Sequence, residues 1–112
     1  MEITEQKSSD VVTLRLSGRL NATTALAFEE KILGRIESGE RHVVIDLAQL
    51  DYISSAGLRV IVLAGKRLSA ENGKMVLCSL TDRVREVFDI AGLSSILSIY
   101  GSHDDATRGL QA

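Results

Sequence analysis

Tryptophan and proline are absent from the 112 residues, and phenylalanine and tyrosine occur twice each. That leaves few candidates for a base-stacking platform or an aromatic ligand box. Cysteine occurs once, as Cys78 in the apolar run MVLC, which excludes an internal disulfide and reads as a small buried hydrophobe. The two histidines, His42 and His103, are far apart and neither lies in a ligand-like spacing such as H-x-x-x-H, so no metal is expected. Basic runs are missing too. With a net charge of −2, the chain lacks the positive footprint that nucleic acid requires, and no nucleic-acid partner is expected. No segment approaches the roughly 20 apolar residues that cross a bilayer. The first ten residues, MEITEQKSSD, are polar and acidic rather than basic-then-apolar, unlike a secretory leader. The expected location is the cytoplasm, without membrane association.

What is present has the length of one domain, residues 1–112, with an ordinary globular composition of 45% hydrophobic and 25% charged residues. Val11–Ser17, VVTLRLS, alternates apolar and polar after Val11, and Ile3–Lys7 can pair with it across the turn SSD, giving an N-terminal hairpin. Gly18–Asn21 reads as a break, with Asn21 as N-cap of a helix carrying Leu26, Ile32, Leu33 and Ile36 inward and ending at Gly39. His42–Leu47, HVVIDL, is a β-branched run suited to a strand covered on both faces. A second helix presents Leu58, Ile61, Val62, Gly65 and Leu68 on one face and exits through Asn72 and Gly73. Lys74–Leu80 reads as a strand. The segment TDRVREVFDIAGL reads as a short helix capped by Thr81, ended by Gly92, with Val84, Val87, Phe88 and Ala91 inward. Ile96–Tyr100 reads as a fifth strand. Asp104–Leu110 reads as a last, weakly anchored helix within GSHDDATRGLQA, the part expected to fray. Helices alternating with strands after a hairpin predict an α/β domain: a small, mostly parallel, mixed sheet of about five strands with about four helices and right-handed connections.

Catalytic inventory is thin. ISSAG is not the G-x-S-x-G elbow, neither histidine has an acidic orienter in sequence, and no phosphate-gripping glycine loop with lysine occurs. Asp46 and Asp51 could in principle form a carboxylate pair, but acids at strand ends are common turn formers. No catalytic residue and no cofactor is therefore assigned. Attention falls on LDYISSAGLRVIVL, Leu50–Leu63, where two serines stand at a helix start. One serine oxygen suffices to accept from a free N–H of the first turn, so the second is redundant as a cap. Gly57 inside that turn costs about 1 kcal/mol relative to Ala. A missing side chain there would let a phosphate or another protein's backbone approach.

The block VVIDLAQLDYISSAGLRVIVLAGKRL resembles the signature of the STAS domain of bacterial anti-sigma factor antagonists: strand, Asp-Leu, turn, then [DS]-S-[AS]-G-L at a helix start. VVTLRLSGRLNATTALAFEEKI and GKMVLCSLTDRVREVFDIAGLSSILSIY resemble the family's earlier and later blocks, so the likeness runs from about residue 3 to residue 105. It implies the STAS fold and a partner-switching role. The serine before [AS]-G-L, here Ser55, would be phosphorylated by an anti-sigma factor that is also an ATP-using serine kinase, and a PP2C-type phosphatase would reverse it. ATP and magnesium would belong to the kinase; this chain would be a substrate, not an enzyme. The implied partner-binding residues are Asn21, Ser54, Ser55, Gly57, Leu58 and Arg59, with the Gly18–Thr23 turn nearby and the protein a monomer or weak dimer. Two departures lower local negative charge: Ser54 stands where the family often has Asp, and Asn21 where Asp is usual after Gly-x-Leu. Rival readings are an unphosphorylated STAS scaffold or lipid-transport accessory module, and a small-molecule or nucleotide-binding domain.

Overall fold

The computed structural model describes residues 1–111. Its elements are β1 (Glu2–Ser8), β2 (Val11–Leu20), α1 (Ala25–Glu37), β3 (His42–Ile53), α2 (Ser55–Ala70), β4 (Lys74–Cys78), α3 (Asp82–Ile90), β5 (Ile99–Tyr100) and α4 (His103–Gln111). The five strands form one sheet in the order β1-β2-β3-β4-β5. β1 and β2 pair antiparallel as the expected hairpin, with Ser8 opposite Val11, and the remaining pairs are parallel. This is the mixed, mainly parallel α/β sheet that the helix–strand alternation predicts.

Alternation along β2 to β4 separates two apolar layers. Val12, Leu14, Leu16 and Leu20 of β2, with Val43, Ile45, Leu47, Leu50 and Ile53 of β3, pack with α1, α2 and α3 through Phe28, Ile32, Ile61, Leu68, Val84 and Phe88. On the other face Val11, Val44, Val76 and Cys78 meet Ala106 and Leu110 of α4. α4 is therefore anchored, contrary to the expectation that the C-terminal segment frays; Ala112, the last residue of that segment, lies outside the described residues. Ala106 is fully buried and His103 Nε2 lies 2.8 Å from Thr13 Oγ1, itself buried in β2. Sequence periodicity could not show this docking, because a nine-residue helix needs only two inward residues when the sheet supplies the rest.

Further boundaries differ from the sequence reading: β4 stops at Cys78 rather than Leu80, with Ser79 turned to a φ of +61°. Gly18 does not break β2; its φ of +95° is accommodated inside the strand, which continues to Leu20. β3 does not end at Leu47 but runs to Ile53, because register shifts at two points keep Leu47, Leu50 and Ile53 on the core face although they are three apart. The fifth strand shrinks to Ile99–Tyr100, with Ile96 69% exposed in the turn before it. Helix faces also shift. Leu26 is 62% exposed, while Ala25 and Phe28 take its place inward. On α2 the buried stripe is Gly57, Leu58, Val60, Ile61, Ala64 and Leu68, leaving Val62 and Gly65 only half-buried. Ala91, expected inward, is exposed just past α3.

Candidate functional site

The parallel β2/β3 pair ends with Leu20 opposite Ile53, and Ser54 N–H donates to Leu20 O at 2.9 Å. That bond places the turn after β2 directly beside the start of α2. The C-terminal edge of parallel strands is where α/β folds commonly put their functional groups, and Asn21, Ser54 and Ser55 converge there.

On the β2 side, Asn21 Oδ1 accepts from Thr23 N–H at 3.0 Å and Thr24 N–H at 3.1 Å, while Asn21 O accepts from Ala25 N–H at 2.9 Å. Asn21 thus caps the turn that leads into α1. The regular helix starts four residues later, with Thr24 in the capping position and without a side-chain cap bond. Thr24 Oγ1 donates to Arg19 O at 2.9 Å and ties the turn back to β2.

On the α2 side the two serines divide the work. Ser54 is extended (φ −97°, ψ 173°) and its Oγ accepts from Gly57 N–H at 3.3 Å, the geometry of an N-cap. Ser55, the first helical residue, is exposed. The first turn of α2 contains no acidic side chain, so the positive end of its dipole is not offset by a carboxylate there. Gly57 is explained from inside. A Cβ at this position would stand 2.7 Å from Leu20 Cγ, 2.9 Å from Leu20 Cδ2 and 3.0 Å from Ile53 Cγ1. Its missing side chain admits the core against the helix, a packing reason that stands beside the expectation that it admits a phosphate or a partner's backbone. Gly57 and Leu58 are both buried among the site residues, whereas Ser55 and Arg59 face outward.

Beside Ser55 runs an open groove of about 410 Å3 lined by Leu58, Val62, Leu63, Ala91 and Leu93, with Arg59 and Lys66 as its cations. Sequence reasoning missed its far wall, since Ala91 and Leu93 follow α3 and only the fold brings them to α2. It also missed Glu29 of α1, whose Oε1 lies 3.1 Å from the Arg59 guanidinium. A further pair it missed is Arg19, stacked 4.3 Å above the Tyr52 ring across the ends of β2 and β3. Both residues were available in sequence, but a cross-strand neighbour depends on register, and the irregularities in β3 hide it.

The other titratable candidates lie elsewhere. Asp46 sits within β3, not at a strand end; it is nearly buried, 3.2 Å from Arg15 Nε, and accepts from Ala48 N–H at 3.0 Å. Asp51 is exposed, five residues on. Cys78 is buried and its thiol is pushed up to about 11 from 9.0, first by desolvation and then by the Asp46 carboxylate, so it is a poor nucleophile. His42 Nδ1 lies 3.5 Å from the exposed Asp10, and His103 Nε2 lies 2.8 Å from Thr13 Oγ1, both away from the start of α2.

A profile of the STAS domain matches residues 2–106. BtrV of Bordetella bronchiseptica, named as a candidate anti-sigma factor antagonist, is 42% identical over 111 residues, covering 99% of this chain and 96% of its own. The anti-sigma-B factor antagonist of Listeria monocytogenes is 32% identical over 97 residues, covering 85% of this chain and 83% of its own. Among solved structures, a candidate anti-sigma factor antagonist from Thermotoga maritima superposes with a TM-score of 0.94 at 25% identity, covering 98% of this chain and 95% of that one. With its three sequence blocks in order, its hairpin-led five-stranded sheet and its paired serines at the start of α2, this chain belongs to the STAS-domain family of bacterial anti-sigma factor antagonists.

Proposed function

We propose that the protein is an anti-sigma factor antagonist working by partner switching in the cytoplasm. Unmodified, it binds an anti-sigma factor that is also an ATP-using serine kinase and so frees that kinase's client; phosphorylated on Ser55, it lets go, and a PP2C-type phosphatase restores it. The chain is then a substrate rather than a catalyst. The observation that carries this reading is the division between the serines: Ser54 Oγ is engaged with Gly57 N–H, while Ser55 is exposed at the first position of α2 beside an apolar groove. The names of the relatives support the partner class.

The physical chemistry is consistent at each step. A phosphate of charge about −1.5 to −2 at a helix N-terminus meets unpaired N–H groups and a favourable dipole, so the modified domain stays folded. Pressed into an apolar interface, the same dianion must lose water without adequate compensation, so binding fails while the fold persists. The partner-binding surface is assigned to Ser55, Arg59 and the exposed edge of Leu58, flanked by Asn21 and Ser54, with Gly57 as the buried spacer that lets α2 sit close to Leu20. Incubation with the cognate kinase and ATP, followed by peptide mapping, should place one phosphate on Ser55. A main site at Ser54, Ser79 or Thr81 would contradict the assignment.

A further inference from the structure

Arg59 occupies a position between two claims. It follows Ser55 by four residues on α2, the spacing at which helix side chains become neighbours, and both line the same groove. In the unmodified protein its guanidinium lies 3.1 Å from Glu29 Oε1, bridging α2 to α1, and the Arg59 side chain is 66% exposed. The other groove cation, Lys66, lies eleven residues beyond Ser55, about 16 Å along the helix and out of reach. Arg19, the cation at the strand ends, is engaged over the Tyr52 ring.

We propose that Arg59 is the switch's charge partner: paired with Glu29 while Ser55 is unmodified, it transfers to the phosphate when Ser55 carries one. This rests on the assignment of Ser55 as the phosphorylated residue. The anion stands N-terminal to the cation at i,i+4, the more favourable order on a helix, and a phosphate carries more charge and more acceptor oxygens than the single Glu29 carboxylate. The transfer pairs a groove cation with the new phosphate and releases the Glu29 tether between α1 and α2. Phosphorylation thus changes two features of the partner-facing surface without a change in backbone.

The test installs phosphoserine at position 55 during synthesis of the full chain, so that its outcome does not depend on which residue a kinase selects. Phosphorus NMR then follows the second ionisation of that phosphate. Arg59→Ala should move it upward by about 0.5 pH unit relative to the phosphorylated wild type, and Arg59→Lys should recover part of the difference. Glu29→Gln should move it downward, because the competing carboxylate is gone. Thermal melts confirm that each variant is folded. A midpoint equal in wild type and Arg59→Ala, or one that moves only with Arg19→Ala, would overturn the proposal, as would a Glu29→Gln midpoint above wild type. Kinase mapping that placed the natural phosphate elsewhere would overturn the Ser55 assignment alone and leave this electrostatic result standing.

Discussion

Gly57→Ala separates two explanations of the glycine at the heart of the site. Both Leu20 and Ile53 are essentially buried, and the closest approach of an added Cβ, 2.7 Å, is to Leu20 Cγ, the branch carbon rather than a mobile chain end. Relief therefore requires α2 to lift from the β2/β3 ends or Leu20 to leave its rotamer, and overpacking of this kind costs about 1–3 kcal/mol. Replacing Gly by Ala in a helix returns up to about 1 kcal/mol, less in the first turn. The expected net loss is about 1–2 kcal/mol, a fall in melting temperature of roughly 4–12 °C for a domain of this size. Thermal and urea melts of wild type and Gly57→Ala, with a binding titration against the kinase, provide the assay. If the glycine served only a partner's close approach, the variant would melt at or above wild type and lose binding alone. Unchanged or raised stability would refute the packing argument.

Other perturbations have equally definite outcomes. Ser54→Ala removes the acceptor of Gly57 N–H and should cost about 1 kcal/mol in a chemical melt, whereas Ser55→Ala should melt near wild type; the reverse order would exchange the roles of the serines. Leu110→Ala should destabilise by about 2 kcal/mol, since that side chain anchors α4 on the outer sheet face, and a variant with wild-type stability would mean that the anchor is dispensable. Cys78 should resist a thiol reagent at pH 8 until the protein unfolds. Its folded pKa lies above the unfolded value, so the unfolded state releases its proton first; the stability it contributes is intact below pH 9.0 and declines as pH rises toward about 11. Alkaline melts of wild type and Cys78→Ala should therefore converge across that window, and parallel curves would exclude the linkage.

Local patterns in the sequence were enough for the hairpin, the alternation of helices and strands, and the serine pair at the start of α2. Each depends on neighbours in sequence: the period-2 run of Val11–Ser17, the apolar stripe containing Leu58, Ile61 and Leu68, and the cap at Ser54. What escaped depends on tertiary contacts. The spacing of Leu47, Leu50 and Ile53 fits neither a strand nor a helix until the register shifts in β3 are seen, so the strand seemed to stop early. Val11, Val44 and Val76 betray a second buried face, but nothing in the polar segment HDDATRGLQ advertises that Ala106 and Leu110 cover it. The site shows the same division. Ser54 and Ser55 are legible because capping is local, whereas the bond from Ser54 N–H to Leu20 O, the packing of Leu20 against Gly57 and the far wall of the groove are products of the fold.

The central claim is that Ser55 controls binding through charge at an interface and not through the stability of the domain. It is tested most directly by titrating three forms of the full chain, unmodified, Ser55→Ala and Ser55-phosphorylated, against the cognate anti-sigma kinase, with a thermal melt of each. The account predicts that the first two bind alike, that the phosphoprotein binds roughly 30- to 1000-fold more weakly, equivalent to about 2–4 kcal/mol, and that it melts at or slightly above the unmodified temperature. A phosphoprotein that retains full affinity, or that loses it together with a large drop in melting temperature, would contradict the account.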